Sequence, residues 1–203
     1  FRGLRVGGAS LRVDARSLVP RFRDVLLVGA AVGHRPAGPV LAADLDELIT
    51  MGEILGTGHR VSGARTHVVT NSGGEANLLS DLAEDAGLEL PELTAAATNP
   101  LAERWSAFHT ANPLDPWGVD DYSSVYPVAI DAVARERGDI VIVSQDQQVT
   151  AGEYERQLGL DLAHYLADAT VGRDVLPVLL SPTSQDPDPR LTAFCRANDI
   201  ALL

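Results

Sequence analysis

Short apolar runs alternate with amphipathic stretches from Arg65 to the end of the chain. This alternation predicts a parallel β-sheet whose strands are joined by helices on both faces. The predicted strands are Thr66–Thr70, Leu88–Leu90, Asp139–Ser144, Val175–Ser181 and Ile200–Leu203. The predicted helices are Gly74–Ala86, Ser123–Arg137, Glu153–Ala169 and Pro189–Asn198. The pattern therefore predicts an α/β fold, a flavodoxin-like doubly wound sheet of about five strands.

The stretch between the second and third predicted strands is less regular. Segment Leu93–Ala111 contains Asn99-Pro100, and Asn112-Pro113 follows it. Because the residue before a proline avoids helical backbone angles, we expect a loop here rather than a helix.

The first 62 residues follow a different pattern. They contain a predicted buried strand, Asp24–Gly29, a loop rich in glycine and proline, Gly33–Pro39, and a predicted amphipathic helix, Asp44–Leu55. One strand and one helix make a thin core. We therefore interpret residues 1–62 as the C-terminal part of a preceding α/β domain, and residues 63–203 as the flavodoxin-like domain.

Charge and composition narrow the classes of partner. The net charge is −12, and all sixteen basic residues are arginines. A chain this acidic is not expected to bind nucleic acid or an anionic membrane. Without lysine, it has neither a Schiff-base lysine nor a lysine to bind ATP, so any phosphate would be held by backbone N–H groups and arginines.

The sequence also predicts the cellular location, whether a metal is bound and the environment of the single cysteine. No apolar run approaches the roughly 18 to 20 residues of a membrane helix, so a cytoplasmic location is expected. Cys195 is predicted to lie on the buried face of the last helix. The histidines have no metal-ligand spacing with one another or with carboxylates, so no bound metal is expected.

The turn after the first predicted strand is the main candidate for chemistry. Asn71, Ser72, Gly73, Gly74 and Glu75 follow an apolar strand and open a helix. Consecutive N–H groups and the helix dipole can hold an anion in this geometry, and glycines allow close approach of the ligand. A strand-to-helix turn with two glycines can equally be only a turn.

This turn lies in one of four segments that follow each other in a fixed order along the chain. The segments are Asp44–Leu48, Val68–Gly74, Ala86–Leu93 and Asn112–Asp115. In order and approximate spacing they resemble the ADP-forming acetyl-CoA and acyl-CoA synthetases, relatives of succinyl-CoA synthetase. The resemblance spans roughly residues 44–203 and is strongest at the Asn-Ser-Gly-Gly turn and at Asn-Pro-Leu-Asp.

The resemblance implies an acid–CoA ligase. In that family an acid, CoA and ATP become acyl-CoA, ADP and phosphate through an acyl phosphate and a phosphorylated histidine. It implies that the helix start at Asn71–Glu75 stabilises the phosphohistidine, and that an ATP-grasp domain or subunit supplies ATP/ADP and Mg²⁺. It also implies a separate CoA-binding domain and an oligomer, so the chain would not be active alone.

Two positions depart from the family pattern. The family's histidine loop lies well ahead of the Asp-Leu-Asp-Glu-Leu helix, whereas the candidate here, His34, lies close to Asp44. His34 is therefore either the phosphorylated residue of an abbreviated loop or an exposed loop histidine. Glu75 stands where many relatives have proline. Its carboxylate would either compete with a phosphate or orient the histidine.

Further pocket candidates are Asn112 and Asp115, in the Asn-Pro-Leu-Asp segment, and Gln145, in a polar run of residues 144–148 after the third predicted strand. The carboxyl edge of an open α/β sheet is where ligands bind. Asn and Asp also build turns by bonding to local backbone, which is the structural alternative.

Two other functions remain open. The first is a non-catalytic binding or assembly domain that keeps the fold and has lost the histidine loop. The second is a flavodoxin-like protein that binds flavin or phosphate, for which a yellow chromophore is the discriminating observation. The ligase interpretation expects no bound flavin.

Overall fold

The computed structural model describes residues 45–59, 61, 63–106, 110–146, 150–182 and 186–203. These ranges contain six helices and a four-stranded sheet. The helices are α1 Leu45–Gly56, α2 Gly73–Ala86, α3 Ala95–Arg104, α4 Tyr122–Ala134, α5 Glu153–Thr170 and α6 Pro189–Ala197. The strands are β1 Thr66–Val69, β2 Ile140–Ser144, β3 Leu176–Leu180 and β4 Ala201–Leu202.

The sheet is parallel throughout and runs in the order β1-β2-β3-β4. Side chains alternate between its two faces, so each strand contributes to two separate cores. Val69, Val143 and Leu179 lie in a core shared with α3 to α6. Val68 and Ile142 lie in the other, shared with α1 and α2. These three layers confirm the predicted flavodoxin-like α/β fold.

Of the five predicted strands, the one at Leu88–Leu90 is reduced to a single bridge between Glu89 and Arg65. Pro91 follows it, and proline cannot donate to a sheet ladder. Asn112 bonds to further backbone groups on this edge of β1. Its Oδ1 accepts from Val68 N and its Nδ2 donates to Thr66 O. Leu114 then bridges Val69. Separate pieces of chain therefore complete this edge of the described sheet in place of one continuous strand.

The expected loop over Leu93–Ala111 is wrong in its first half, because α3 continues through Pro100. Proline removes one helical hydrogen bond. However, Ala97 and Leu101 are both buried, and Leu101 lies in the core with α4. The burial of these two side chains offsets the preference of Asn99, which precedes a proline, for a non-helical backbone.

Residues 1–44 lie outside the described residues, including the predicted strand Asp24–Gly29 and His34. Of the region assigned to a preceding domain, α1 is described, and its Met51 and Ile54 pack in the core beneath β1 to β4. The boundary at residue 62 stays a prediction.

Candidate functional site

The ends of β1 and β2 carry the candidate site. The two strands are neighbours, yet the helices that follow them lie on opposite faces: Leu79 of α2 is in one core and Leu162 of α5 in the other. A crevice opens between neighbouring strands where the chain departs in opposite directions, and open α/β sheets bind ligands there.

Ser72 sets the start of α2. Its backbone is extended, and its Oγ accepts a hydrogen bond from Glu75 N at 3.4 Å while its carbonyl accepts from Ala76 N at 2.9 Å. This is an N-cap, which satisfies part of the helix's unpaired N–H groups. By helix geometry the N–H groups of Gly73 and Gly74 have no intrahelical acceptor. Two adjacent donors therefore mark the front of the helix.

Neither of these glycines is required by the packing of the described residues. A Cβ built on Gly73 would come no closer than 3.5 Å to Asp115 Oδ2, and one on Gly74 would lie 3.7 Å from Ser72 Oγ. Both are ordinary contact distances, and neither glycine has the positive φ that excludes other residues. Packing among the described residues therefore gives no reason for glycine here, and the missing side chains leave the backbone open to a ligand.

The Glu75 carboxylate lies against the strand ends. Thr70 Oγ1 donates to Glu75 Oε2 at 2.5 Å, and Ser144 Oγ donates to Glu75 Oε1. Thr70 and Ser144 are fully buried. The two hydroxyls therefore link the first turn of α2 to β1 and β2, and they fix a negative charge where an anion would be attracted.

A second link joins the loops after the same two strands. Asn71 Nδ2 donates to Gln145 Oε1, and Gln145 is 7% exposed. Tyr126 lies behind the turn and donates its hydroxyl to Thr70 O at 3.3 Å. Burial, followed by the charges of Asp115 and Glu75, raises the pKa of Tyr126. Tyr126 is therefore a neutral hydrogen-bond donor at neutral pH.

Asp146 adds a carboxylate beside Glu75. Its Oδ1 is buried and has no hydrogen-bond partner among the described residues. Burial, with a smaller contribution from the Glu75 charge, raises the pKa of Asp146 to about 6. Asp146 thus changes charge near neutrality, the range in which acid–base groups and pH sensors operate.

Asp115 and Asn112, from the Asn-Pro-Leu-Asp segment, lie in different places. Asp115 Oδ1 accepts from Trp117 N at 3.0 Å, and its other oxygen faces Gly73. Asn112 lies along the edge of β1 and also donates to Pro91 O at 3.0 Å. Asp115 therefore borders the crevice, whereas the Asn112 amide is used in holding the sheet edge together.

The fold thus gathers Asn71, Ser72, Gly73, Gly74 and Glu75 with Asp115 and Gln145. Among the described residues, no arginine lies within ion-pair distance of Glu75, Asp115 or Asp146. The sequence placed Ser144 and Asp146 in the polar run 144–148 and Thr70 at the end of a predicted strand, but none of the three was chosen as a site residue. That position was the signal that could have found them.

The described part of the chain contains neither a metal centre nor a membrane-spanning helix. No group of three or more metal-binding side chains lies close enough to hold an ion. None of its helices is long and apolar enough to span a membrane. Cys195 is buried as expected, and burial raises the pKa of its thiol to about 12.

Comparisons with known proteins support the fold. No protein-family model and no curated protein matches the sequence. Among solved structures, the chain is similar to the dinucleotide-forming acetyl-coenzyme A synthetase 1 of Ca. Korarchaeum cryptofilum, in complex with phosphate and ADP. The TM-score is 0.54 at 17% identity, over 100% of this chain and 48% of that chain. At this identity the likeness shows a shared fold, and this chain spans about half the length of its neighbour.

Proposed function

We propose that this chain is the phosphate-stabilising, flavodoxin-like part of an acid–CoA ligase that forms a nucleoside diphosphate. The reaction converts an acid, CoA and ATP to acyl-CoA, ADP and phosphate through a phosphohistidine, for which His34 is the candidate. The observation that carries the proposal is the start of α2, where two glycines that packing does not require follow β1 at the carboxyl edge of the sheet.

The chemistry assigned to these residues is electrostatic. Phosphoryl transfer depends mainly on positioning and on stabilising charge at the phosphoryl oxygens. The N–H groups of Gly73 and Gly74, together with the positive end of the α2 dipole, would face those oxygens. Ser72 holds the turn in shape, and the Asn71–Gln145 hydrogen bond fixes it to the loop after β2.

Glu75 would then act on the histidine rather than on the phosphate. Its carboxylate is already bonded to Thr70 and Ser144, so it is anchored at the strand ends. A fixed carboxylate next to the crevice would favour an imidazole N–H directed toward it, which would orient the ring for transfer at its other nitrogen.

Other parts of the reaction would come from other domains. The structural neighbour, twice as long, was solved with phosphate and ADP, which supports nucleotide chemistry in an assembly of this fold. We propose that an ATP-grasp domain or subunit provides ATP and Mg²⁺, and that a separate domain binds CoA. The chain has no lysine for either task.

One observation favours a non-catalytic binding or assembly domain as the alternative. Glu75, Asp115 and Asp146 border the same crevice, and none of them has an arginine partner among the described residues. Fixed negative charge disfavours a second anion, at an energy that rises as water is excluded. If the ionised carboxylates dominate, the turn keeps its shape and excludes phosphate.

The deciding experiment is the intact mass of the full-length gene product after incubation with its ATP-grasp partner, ATP and magnesium. The ligase proposal expects one acid-labile phosphate on the wild-type protein and none on His34→Ala. A matched control is His164→Ala. His164 is exposed on α5, roughly three turns after the start of that helix, and its ring centroid lies 3.9 Å from that of Phe194.

The outcomes separate the two functions. Loss of the phosphate in both variants would indicate general damage to the fold rather than loss of the acceptor, and circular dichroism of each variant would reveal it. An unphosphorylated wild-type protein, with an active partner present, would contradict the ligase proposal and favour the binding domain.

A further inference from the structure

Helix α1 is apolar over more of its surface than it buries. Met51 and Ile54 are buried beneath the sheet with α2. The apolar surface beside them, here called the outer side of α1, consists of Leu45, Leu48, Ile49 and Leu55. An apolar helix surface is normally covered, because a wide apolar stripe in contact with water is unfavourable.

The outer side of α1 is widely exposed in the described part of the chain. The exposed fractions are 68% for Leu45, 56% for Leu48 and for Ile49, and 48% for Leu55. Four of the seven large hydrophobic residues that are exposed belong to this one helix of 12 residues. Gly52 lies between them with nothing within 4 Å of its Cβ position, so a covering segment could approach the helix closely.

The charge of the chain is divided sharply at the start of α1. Residues 1–44 contain seven arginines and three carboxylates, a net charge of +4. Residues 45–203 contain nine arginines and 25 carboxylates, a net charge of −16. An acidic domain therefore follows directly after a basic segment of 44 residues, and the two attract each other.

Helices α1 and α2 both expose acidic side chains. Asp46 is exposed on α1 itself. Helix α2 contributes to the same core and exposes Asp81, Glu84 and Asp85, and its sequence contains no arginine. The two helices of this layer thus offer carboxylates to a basic segment, and α1 offers apolar surface as well.

We propose that residues 1–44 of the same chain cover the outer side of α1, with their apolar run Val25–Val28 or Val40-Leu41 on the exposed leucines and their arginines against the acids of α1 and α2. The segment ends where α1 begins, so the contact is intramolecular and needs only modest affinity. This contact does not depend on the proposed ligase function. It would bring the loop that carries His34 onto the body of the flavodoxin-like domain.

Amide hydrogen exchange of the full-length chain tests this contact. In the wild-type protein, amides of residues 24–43 should exchange at least about tenfold slower than the same peptides in denaturant. The double substitution Leu48→Gln with Ile49→Gln keeps helix propensity and net charge but removes the apolar surface. It should return residues 24–43 close to the unprotected rate, while β2 and β3 keep their protection.

The matched control is Val171→Gln, which changes an equally apolar residue that is 79% exposed at the end of α5. It should leave residues 24–43 protected. Unprotected amides in the wild-type chain, or protection that survives the double substitution, would overturn the proposal.

Concentration and salt distinguish the occupant. Protection that disappears on dilution, together with a dimer in sedimentation, would mean that a second copy covers α1 and would overturn the intramolecular contact. Raising the salt from about 0.1 M to about 1 M shortens the screening length from ~10 Å to ~3 Å. The protection should then decrease, and unchanged protection would contradict the proposed role of the arginines.

Discussion

Two helices begin just beyond the carboxyl ends of strands, and they differ in how their charges are balanced. Helix α6, after β3, begins at Asp188, whose carboxylate accepts from Arg190 N at 2.8 Å and pairs with the Arg190 guanidinium at 2.9 Å. Arg156 of α5 lies 3.8 Å from the same carboxylate. These hydrogen bonds from Arg190 hold the pKa of Asp188 below its usual value. The Asp188 carboxylate therefore has two arginine partners.

Helix α2, after β1, begins without such a balance. The Glu75 carboxylate is held by neutral hydroxyls, and the neighbouring Asp146 has its pKa raised to about 6, by burial above all. The start of α6 has Pro189 in its first turn, whereas α2 has two glycines. The capping and ion pairs at the start of α6 are accounted for within the fold. At the start of α2 the carboxylates have no arginine partner among the described residues, and this difference is what separates the two proposed functions.

The largest effect is expected from removing the Glu75 carboxylate. Glu75→Ala leaves the buried hydroxyls of Thr70 and Ser144 without their acceptor, which should lower the free energy of unfolding by about 1–3 kcal/mol. Urea denaturation measures it. Glu75→Gln keeps an acceptor and should lose clearly less. Equal losses in both variants would mean that charge, rather than hydrogen bonding, is what the site requires.

The second largest effect on stability is expected from removing the Asp188 carboxylate, which is paired with Arg190. Asp188→Ala removes the N-cap of α6 and should cost about 1–2 kcal/mol in the same denaturation experiment. Asp188→Asn keeps a capping oxygen and should recover part of the loss. Phosphohistidine yield should be unchanged in both variants, because this helix start has no ligand role. A fall in yield would contradict the contrast between the two starts.

The pH dependence of stability sharpens the contrast at Asp146. Its folded pKa, about 6, lies above the unfolded value of about 3.9, so between these pH values the folded state binds more protons. Stability from this group is therefore full below pH about 4 and is lost as the pH rises through 6. Asp146→Asn should gain about 1 kcal/mol over wild type between pH 4 and 7, after discounting for solvent screening. A constant difference would contradict the raised pKa.

The smallest effect concerns the glycines. Gly74→Ala has room for its methyl group and should leave stability unchanged or raise it by up to about 1 kcal/mol, since alanine favours helix. Phosphohistidine yield should nevertheless fall, because the methyl group would keep a phosphate away from the backbone. Thermal unfolding and intact mass measured on the same sample provide the test. A destabilised Gly74→Ala protein would show that packing, not a ligand, requires the glycine.

Most of the fold followed from the sequence where local and tertiary preferences agree. β1, β2 and β3 are buried on both faces, and β2 and β3 are almost wholly apolar. Helix α2 has a capping serine at one end and a left-handed Gly87 at the other. The failures have tertiary causes. Pro100 lies inside α3 because packing outweighs a local penalty. The strand expected at Leu88–Leu90 is reduced to one bridge at Glu89, and the amide of Asn112 bonds to the next part of the β1 edge.

Part of the candidate site likewise followed from the sequence, and part was decided by the tertiary structure. The sequence by itself determined the Asn71–Glu75 turn, because a strand, a cap and two glycines are all local signals, and it placed Gln145 at the same edge. Only the tertiary structure decided that Thr70 and Ser144 share the Glu75 carboxylate, that Asp146 lies beside it, and that Asn112 serves the sheet edge. The hydrogen bond between Ser144 and Glu75, for example, joins residues 69 positions apart. Sequence pattern encodes which face a residue occupies, but not which distant side chain it meets there.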